Sequence, residues 1–131
     1  MAYLEQNWFT AKVFNRIAMA TGLAGAETLT VTRRSTGEPQ RIPVTTVVVD
    51  GGRYLVSTRG ESHWVKNVRA TPQVGLRTGS GLSSFTATEI PVEARPPILA
   101  AYRAKLGKMV EGYFRDLPDA ADHPVFKLSP T

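Results

Sequence analysis

The hydrophobic positions along this chain follow two periods, and the switches between them divide it into elements. Over residues 4–20, Phe9, Val13 and Ile17 recur every four positions, and Leu4, Trp8, Phe14 and Ala20 widen the same apolar face. That spacing predicts an amphipathic helix filling most of an N-terminal segment, 1–22. Gly22 and Gly25 end the pattern,. From residue 28 the period drops to two: Thr-Leu-Thr-Val-Thr over 28–32 is β-branched and strictly alternating, as a half-buried strand requires,. Residues 33–39 read as a turn built on Gly37 and Pro39, and 41–49 as one long strand that Pro43 confines to an edge or a strand start,. Asp50-Gly51-Gly52 predicts a hairpin turn, with 53–57 as the returning strand,. Residues 64–70 suit a short helix, since Pro72 biases Thr71 away from helical geometry,. Strands over 74–78 and 83–92 with a Gly-Ser-Gly turn make a second hairpin, 96–106 a helix opened by Pro96 and Pro97, 115–124 an acidic loop and 124–129 a last strand,.

The pattern therefore predicts a single domain over 1–131, mainly β with peripheral helices, in which about six antiparallel strands form a small barrel,. No Gly-x-Gly-x-x-Gly and no parallel-crossover signal occurs, which argues against a Rossmann domain,.

Charge adds a direction. Positions 33–77 hold 8 of the 16 Lys and Arg but only 3 of the 11 Asp and Glu, so the net charge of +5 sits in this central block. A localised excess of this kind predicts an anionic partner. The absence of Cys excludes disulfides and thiolate metal sites, and two widely separated His make an imidazole metal site an unattractive reading, so no metal is expected,. No window reaches the roughly 20 apolar residues of a membrane span, and a secretory leader is not suggested. A cytoplasmic location is the expectation. The aromatic N-terminal helix suits peripheral contact with a membrane surface or a lid over a pocket, although packing on a core is the simpler reading.

Two turns concentrate the candidate chemistry. Arg33, Arg34 and Arg41 flank the first, and forked guanidinium groups suit phosphate or carboxylate,. The second, Thr58-Arg59-Gly60-Glu61-Ser62, opens the helix carrying Trp64 and Asn67. Ser62 is placed to cap that helix, whose first N–H groups face outward, and Gly60 allows close backbone approach. A solvated loop and an ordinary capped helix are the plain alternatives. His63 and His123 read as surface imidazoles. No Gly-x-Ser-x-Gly elbow and no paired carboxylates occur, so no catalytic residue is assigned,. Anion-binding groups without a nucleophile point to a redox cofactor that brings its own chemistry.

The run 29–44, Leu-Thr-Val-Thr-Arg-Arg-Ser-Thr-Gly-Glu-Pro-Gln-Arg-Ile-Pro-Val, resembles the Gly-Arg-x-Ser-Gly-x-x-Arg-x-x-Pro segment of the deazaflavin-dependent nitroreductase family. Residues 54–61 and Trp64-Val65-Lys66-Asn67 are similar to its following strand, loop and Trp-x-x-Asn helix, and 123–128 to the ending of one of its branches. The resemblance implies a split β-barrel that binds coenzyme F420 and passes hydride to a small-molecule electron acceptor such as a quinone, nitroaromatic or activated alkene. It implies that Arg34, Ser35 and Arg41 meet the anionic tail and that Pro43 and Val44 border the groove. Ser57, Thr58, Arg59 and Gly60 would contact the cofactor, and Trp64 and Asn67 would lie along its phosphate arm. Trp8, Phe9, Tyr102 and Tyr113 would line the substrate side. Arg33 stands where the motif has Gly, Thr36 where it has Ser, and Gln40 where it has Arg, with Arg41 one place later. Flavin mononucleotide is the alternative cofactor. A basic barrel for single-stranded nucleic acid is the non-enzyme alternative, weakened because Tyr54 is the one aromatic between 33 and 63; no nucleic-acid partner is expected,. The chain reads as a monomer or homodimer.

Overall fold

The computed structural model describes residues 27–78 and 81–131. The helix expected over 4–20, with Trp8 and Phe9, and the turn at Gly79-Ser80 lie outside the described residues. Seven strands form one antiparallel sheet: β1 (Glu27–Thr32), β2 (Pro39–Val44), β3 (Val47–Val49), β4 (Gly52–Val56), β5 (Gln73–Thr78), β6 (Gly81–Glu89) and β7 (Val125–Pro130). Their order is β2-β1-β5-β6-β7-β4-β3. The two edge strands, β2 and β3, are consecutive in sequence and joined only by Thr45 and Thr46. So short a link spans roughly 10 Å at full extension, so the sheet must curl until its edges nearly meet. This is a split barrel, as the family resemblance implies, and mainly β with helices around it, as the alternation of short strands predicts.

The expected long strand over 41–49 is broken at that corner. The Thr46 N–H and hydroxyl both donate to Glu27 Oε1, at 3.2 and 2.5 Å, and Arg53 donates to Glu27 Oε2 at 2.7 Å. Glu27 is 5% exposed, and a carboxylate so buried is tolerated because each oxygen has a donor. Lys105 ties the outside of the corner through Thr46 O at 2.7 Å.

Three helices complete the chain: α1 (His63–Ala70), α2 (Pro96–Leu106) and α3 (Lys108–Asp116). Helix α3 was not expected from the pattern. Gly107, at φ 58°, ends α2 and starts α3 at once, so the two apolar stripes do not run in phase. Val92, expected to end the strand over 83–92, instead opens a short 3-10 turn over 92–94 ahead of Arg95.

The core has two parts. Inside the curl, Trp64, Val65 and Val68 of α1 pack against Leu29, Val31, Ile42, Leu55, Val74, Leu76, Phe126 and Leu128. Outside, Ile98, Leu99, Tyr102 and Leu106 of α2 and Val110 and Phe114 of α3 cover Val47, Val56 and Val125. Leu55 and Val56, like Phe126 and Val125, thus serve opposite faces of the same strand,. No described helix packs in this way on the outer face of β2, β1, β5 and β6.

Candidate functional site

The strand-to-helix segment 57–62 crosses the seam between the two cores. Gly60, at φ 81°, sits in the left-handed region that favours glycine,. The Ser57 hydroxyl donates to Gly60 O at 2.6 Å, and the Ser62 N–H to the same carbonyl at 2.8 Å, closing a tight loop. The Ser57 side chain is therefore a loop fastener, 2% exposed. Thr58 and Arg59 follow it into a narrow cleft walled by Val44, Val56, Trp64 and Tyr102. Six of the residues marked in the sequence (Val44, Ser57, Thr58, Arg59, Trp64 and Tyr102) are brought together there.

Two side chains fix the loop from behind. Arg69 pairs with both carboxylate oxygens of Glu61 and, at 2.8 Å each, with both of Glu89. Its guanidinium is held charged above its ordinary range, chiefly by Glu89 and then by Glu61, while the hydrogen bond from Arg69 holds Glu89 below the usual carboxylate range. The second is His123, read from the sequence as a surface residue but 0% exposed. Its ring stacks on Phe114 with centroids 4.2 Å apart, Nδ1 lies 2.9 Å from Ser57 O, and Nε2 lies 2.6 Å from Leu117 O. Nothing near His123 in the sequence signals this, because its partners are 66 and 6 residues away.

The first basic turn docks on α1. Arg34 donates to Asn67 Oδ1 through its backbone N–H and Nη1, reaches His63 O at 3.3 Å, and its Nη2 lies 3.4 Å from His63 Nδ1. Asn67, 3% exposed, completes its bonding by donating to Gln40 Oε1 at 2.8 Å. The two turns are thus physically joined, and Asn67 acts as their fastener. Ser35 stands exposed at the turn tip.

Some expectations are corrected. Gln40, Ile42 and Val44 face inward along β2, so strand alternation puts Arg41 and Pro43 on the opposite face, outside the cleft,. Arg41 lines a separate groove. Ser62 occupies the N-cap position of α1 at φ −71°, ψ 167°, but makes no side-chain capping bond. Its hydroxyl is buried and has no hydrogen-bond partner among the described residues. Trp64 is both core and wall: it is 6% exposed and its ring lies 6.0 Å from that of Phe126. Tyr113 is half-buried against the outer core. Burial raises its phenol, opposed by the nearby charge of Arg59. Tyr102 is pushed far above the ordinary phenol range, first by burial and then by Tyr113.

The donor set suits an anionic, partly flat ligand. Arg34 and Arg59 bring charge, the α1 N-terminus lacks a side-chain cap, and the buried Ser62 hydroxyl lies at the helix start,. The nearest acid, Glu61, is engaged by Arg69. Among the described residues no group of three or more His, Cys, Asp or Glu could hold a metal ion, and no helix is long and apolar enough to cross a membrane.

Solved structures share the fold. An F420-H2 dependent reductase, FDR-A, is 23% identical over 79% of this chain and 93% of its own, with a TM-score of 0.62. HutZ, a heme storage protein from Vibrio cholerae, is 13% identical over 89% of this chain and 87% of its own, with a TM-score of 0.63. A protein described as a domain-swapped dimer is 24% identical over 79% of each chain, with a TM-score of 0.55. No curated protein matches the chain. The family described as F420H(2)-dependent quinone reductase matches residues 6–115, spanning β1–β6, α1, α2 and nearly all of α3. With that match laid over a split barrel and its basic cleft, the chain belongs to the F420H2-dependent quinone reductase family of deazaflavin split-barrel oxidoreductases.

Proposed function

We propose that the protein binds coenzyme F420 in the seam cleft and reduces an electron-poor small molecule, a quinone, nitroaromatic or activated alkene. The observation that carries this is the meeting of two basic turns on one helix: Arg34 is bound to Asn67 and His63 of α1, and Thr58 and Arg59, just ahead of α1, line the cleft with its Trp64. Arg34, Arg59 and the opening N–H groups of α1 would hold the phosphate arm and acidic tail. Val44, Val56 and Trp64 would take the flat ring system, and the Gly60 backbone would approach it closely. When bound and reduced, the deazaflavin supplies the hydride.

The protein's part is alignment and exclusion of water. The Tyr102 phenol faces the same cleft and remains protonated through the neutral range, so it offers a hydrogen bond to an acceptor's oxygen,. The proton that follows the hydride comes from solvent or such a hydroxyl. No cysteine is available for covalent chemistry. Nucleic acid is disfavoured because Tyr54 is the one aromatic interleaved with the basic residues between 33 and 63, too few to stack successive bases,. A homodimer is compatible with the reading, since one relative of this fold is described as a domain-swapped dimer.

The test is a titration of purified protein with F420, flavin mononucleotide and a single-stranded oligonucleotide, followed by tryptophan fluorescence. Turnover of reduced F420 is then assayed with quinone, nitroaromatic and enone acceptors. Saturable F420 binding with acceptor-dependent oxidation is expected. Tight binding of flavin mononucleotide alone would sink the proposal.

A further inference from the structure

The outer face of β2, β1, β5 and β6 presents Thr28, Thr30 and Thr32 of β1, whose partners Leu29 and Val31 point into the core. The same alternation turns Gln73, Gly75 and Arg77 of β5 outward and Val74 and Leu76 inward,. On β2 it turns Arg41 outward, one place after the inward Gln40. The register sets Arg41 opposite Thr30, Thr30 opposite Gly75, and Thr28 opposite Arg77. The two arginines therefore stand diagonally across β1, two strand spacings apart, about 10 Å, and roughly 7 Å along the strands.

Between them lies a groove of about 370 Å³ with a threonine floor. Gly75 makes the hollow: a Cβ there would sit 3.7 Å from both Leu82 Cδ1 and Thr30 Cβ, in ordinary contact and with no clash. Among the described residues no Asp or Glu lines the groove. Neither Arg41 nor Arg77 makes a hydrogen bond or ion pair among the described residues, whereas Arg34, Arg53, Arg69 and Arg95 all do.

We propose that this groove is a second anion site, separate from the seam cleft, for a small dianion bearing a phosphate or two carboxylates. Two guanidinium forks on opposite walls match a ligand with two anionic oxygen sets, and the threonine hydroxyls supply neutral donors between them. A groove of this size lies in the range of small-molecule sites. Among the described residues no aromatic lines the groove, so none of them offers a platform for a base or flat ring. This inference stands independently of the cofactor assigned to the cleft.

Amide chemical shifts of the labelled full chain, followed at low salt during titration with inorganic phosphate and separately with succinate, test it. The expected result is saturable shifts centred on residues 28–32 and 75–77 with at least one of the two. Phosphate alone marks a phosphoryl ligand; succinate alone marks a dicarboxylate. Arg41→Gln and Arg77→Gln should each weaken binding roughly tenfold, the loss of one charge-assisted contact. Gly75→Met, which fills the groove and keeps both charges, should abolish it. Arg77→Gln and Gly75→Met should leave F420 affinity unchanged, which separates this site from the cleft. Saturation by neither probe, shifts confined to residues 34 and 63–67, or undiminished binding in Gly75→Met would each overturn the proposal.

Discussion

One oxygen, Asn67 Oδ1, accepts from both the backbone N–H of Arg34, at 3.1 Å, and its Nη1, at 2.7 Å. This doubly anchored contact holds the β1–β2 turn against α1 and sets the direction of the Arg34 side chain. It makes Asn67 a positioning residue, since its Nδ2 is also engaged, by Gln40.

Asn67→Ala should therefore free the turn without touching any charge. The lost hydrogen bonds cost about 0.5–1.5 kcal/mol each, since water can reach the Arg34 donors, and F420 affinity should fall by about tenfold as Arg34 loses its direction. Asn67→Asp keeps the acceptor for Arg34 and should retain most of that affinity. Thermal melts and fluorescence titration of both variants decide the matter; equal affinity in Asn67→Ala and wild type would remove Asn67 from the site.

Arg59 contributes from a more enclosed position, 6% exposed, than the exposed Arg34. Screening shortens to about 8 Å at physiological ionic strength and acts most strongly on exposed charges. Arg34→Ala should thus weaken F420 binding chiefly at low salt, while Arg59→Ala should weaken it at every salt concentration. Titrations at two ionic strengths compare them. If neither substitution changes affinity, the cofactor does not lie along these arginines.

Local pattern carries much of this molecule and long-range contact the remainder. The alternation over 28–32 gives β1 and its buried Leu29 and Val31 directly, and the excess of charge at 33–77 marks both basic turns. The position of Arg41 is also legible, because one place along a strand reverses the face. The break at Thr45–Thr46 is not, since it depends on Glu27, 19 residues earlier. Helix α3 is obscured by Gly107 and Gly112 within an otherwise helical run,. The burial of His123 arises from partners that only the closed fold brings near it.

Stability should respond to pH at both ends. Glu89 is depressed by its hydrogen bonds from Arg69. A group lowered in the folded state stabilises fully above its unfolded value, about 4.3, and that contribution disappears as pH falls through the lower folded value. The melting difference between wild type and Glu89→Gln should accordingly be largest above about pH 5 and shrink in acid. Tyr102 is raised by burial. Its contribution is present below the unfolded phenol value near 10 and is lost as pH rises beyond it. Tyr102→Phe should flatten the alkaline decline. Melting curves across the pH range that show parallel behaviour for all three proteins would contradict both assignments.

His123 offers the most direct test of how the cleft is held. Its ring joins the carbonyl of Ser57, at the mouth of the cleft, to that of Leu117, beyond the end of α3, and Arg95 reaches the His123 carbonyl at 3.4 Å. His123→Phe should preserve the stacking volume beside Phe114 but leave the carbonyl served by the ring N–H without its donor. At about 1–3 kcal/mol for a buried group left unsatisfied, the variant should be less stable. The Ser57–Gly60 loop should also exchange its amide hydrogens faster than the Arg34 turn does. His123→Asn, which can donate to one of the two carbonyls, should recover part of the stability. Hydrogen exchange resolved by residue separates a local effect on the loop from general destabilisation. Uniform acceleration across β1, β5 and the loop would show that His123 supports the whole fold equally and has no special hold on the cleft.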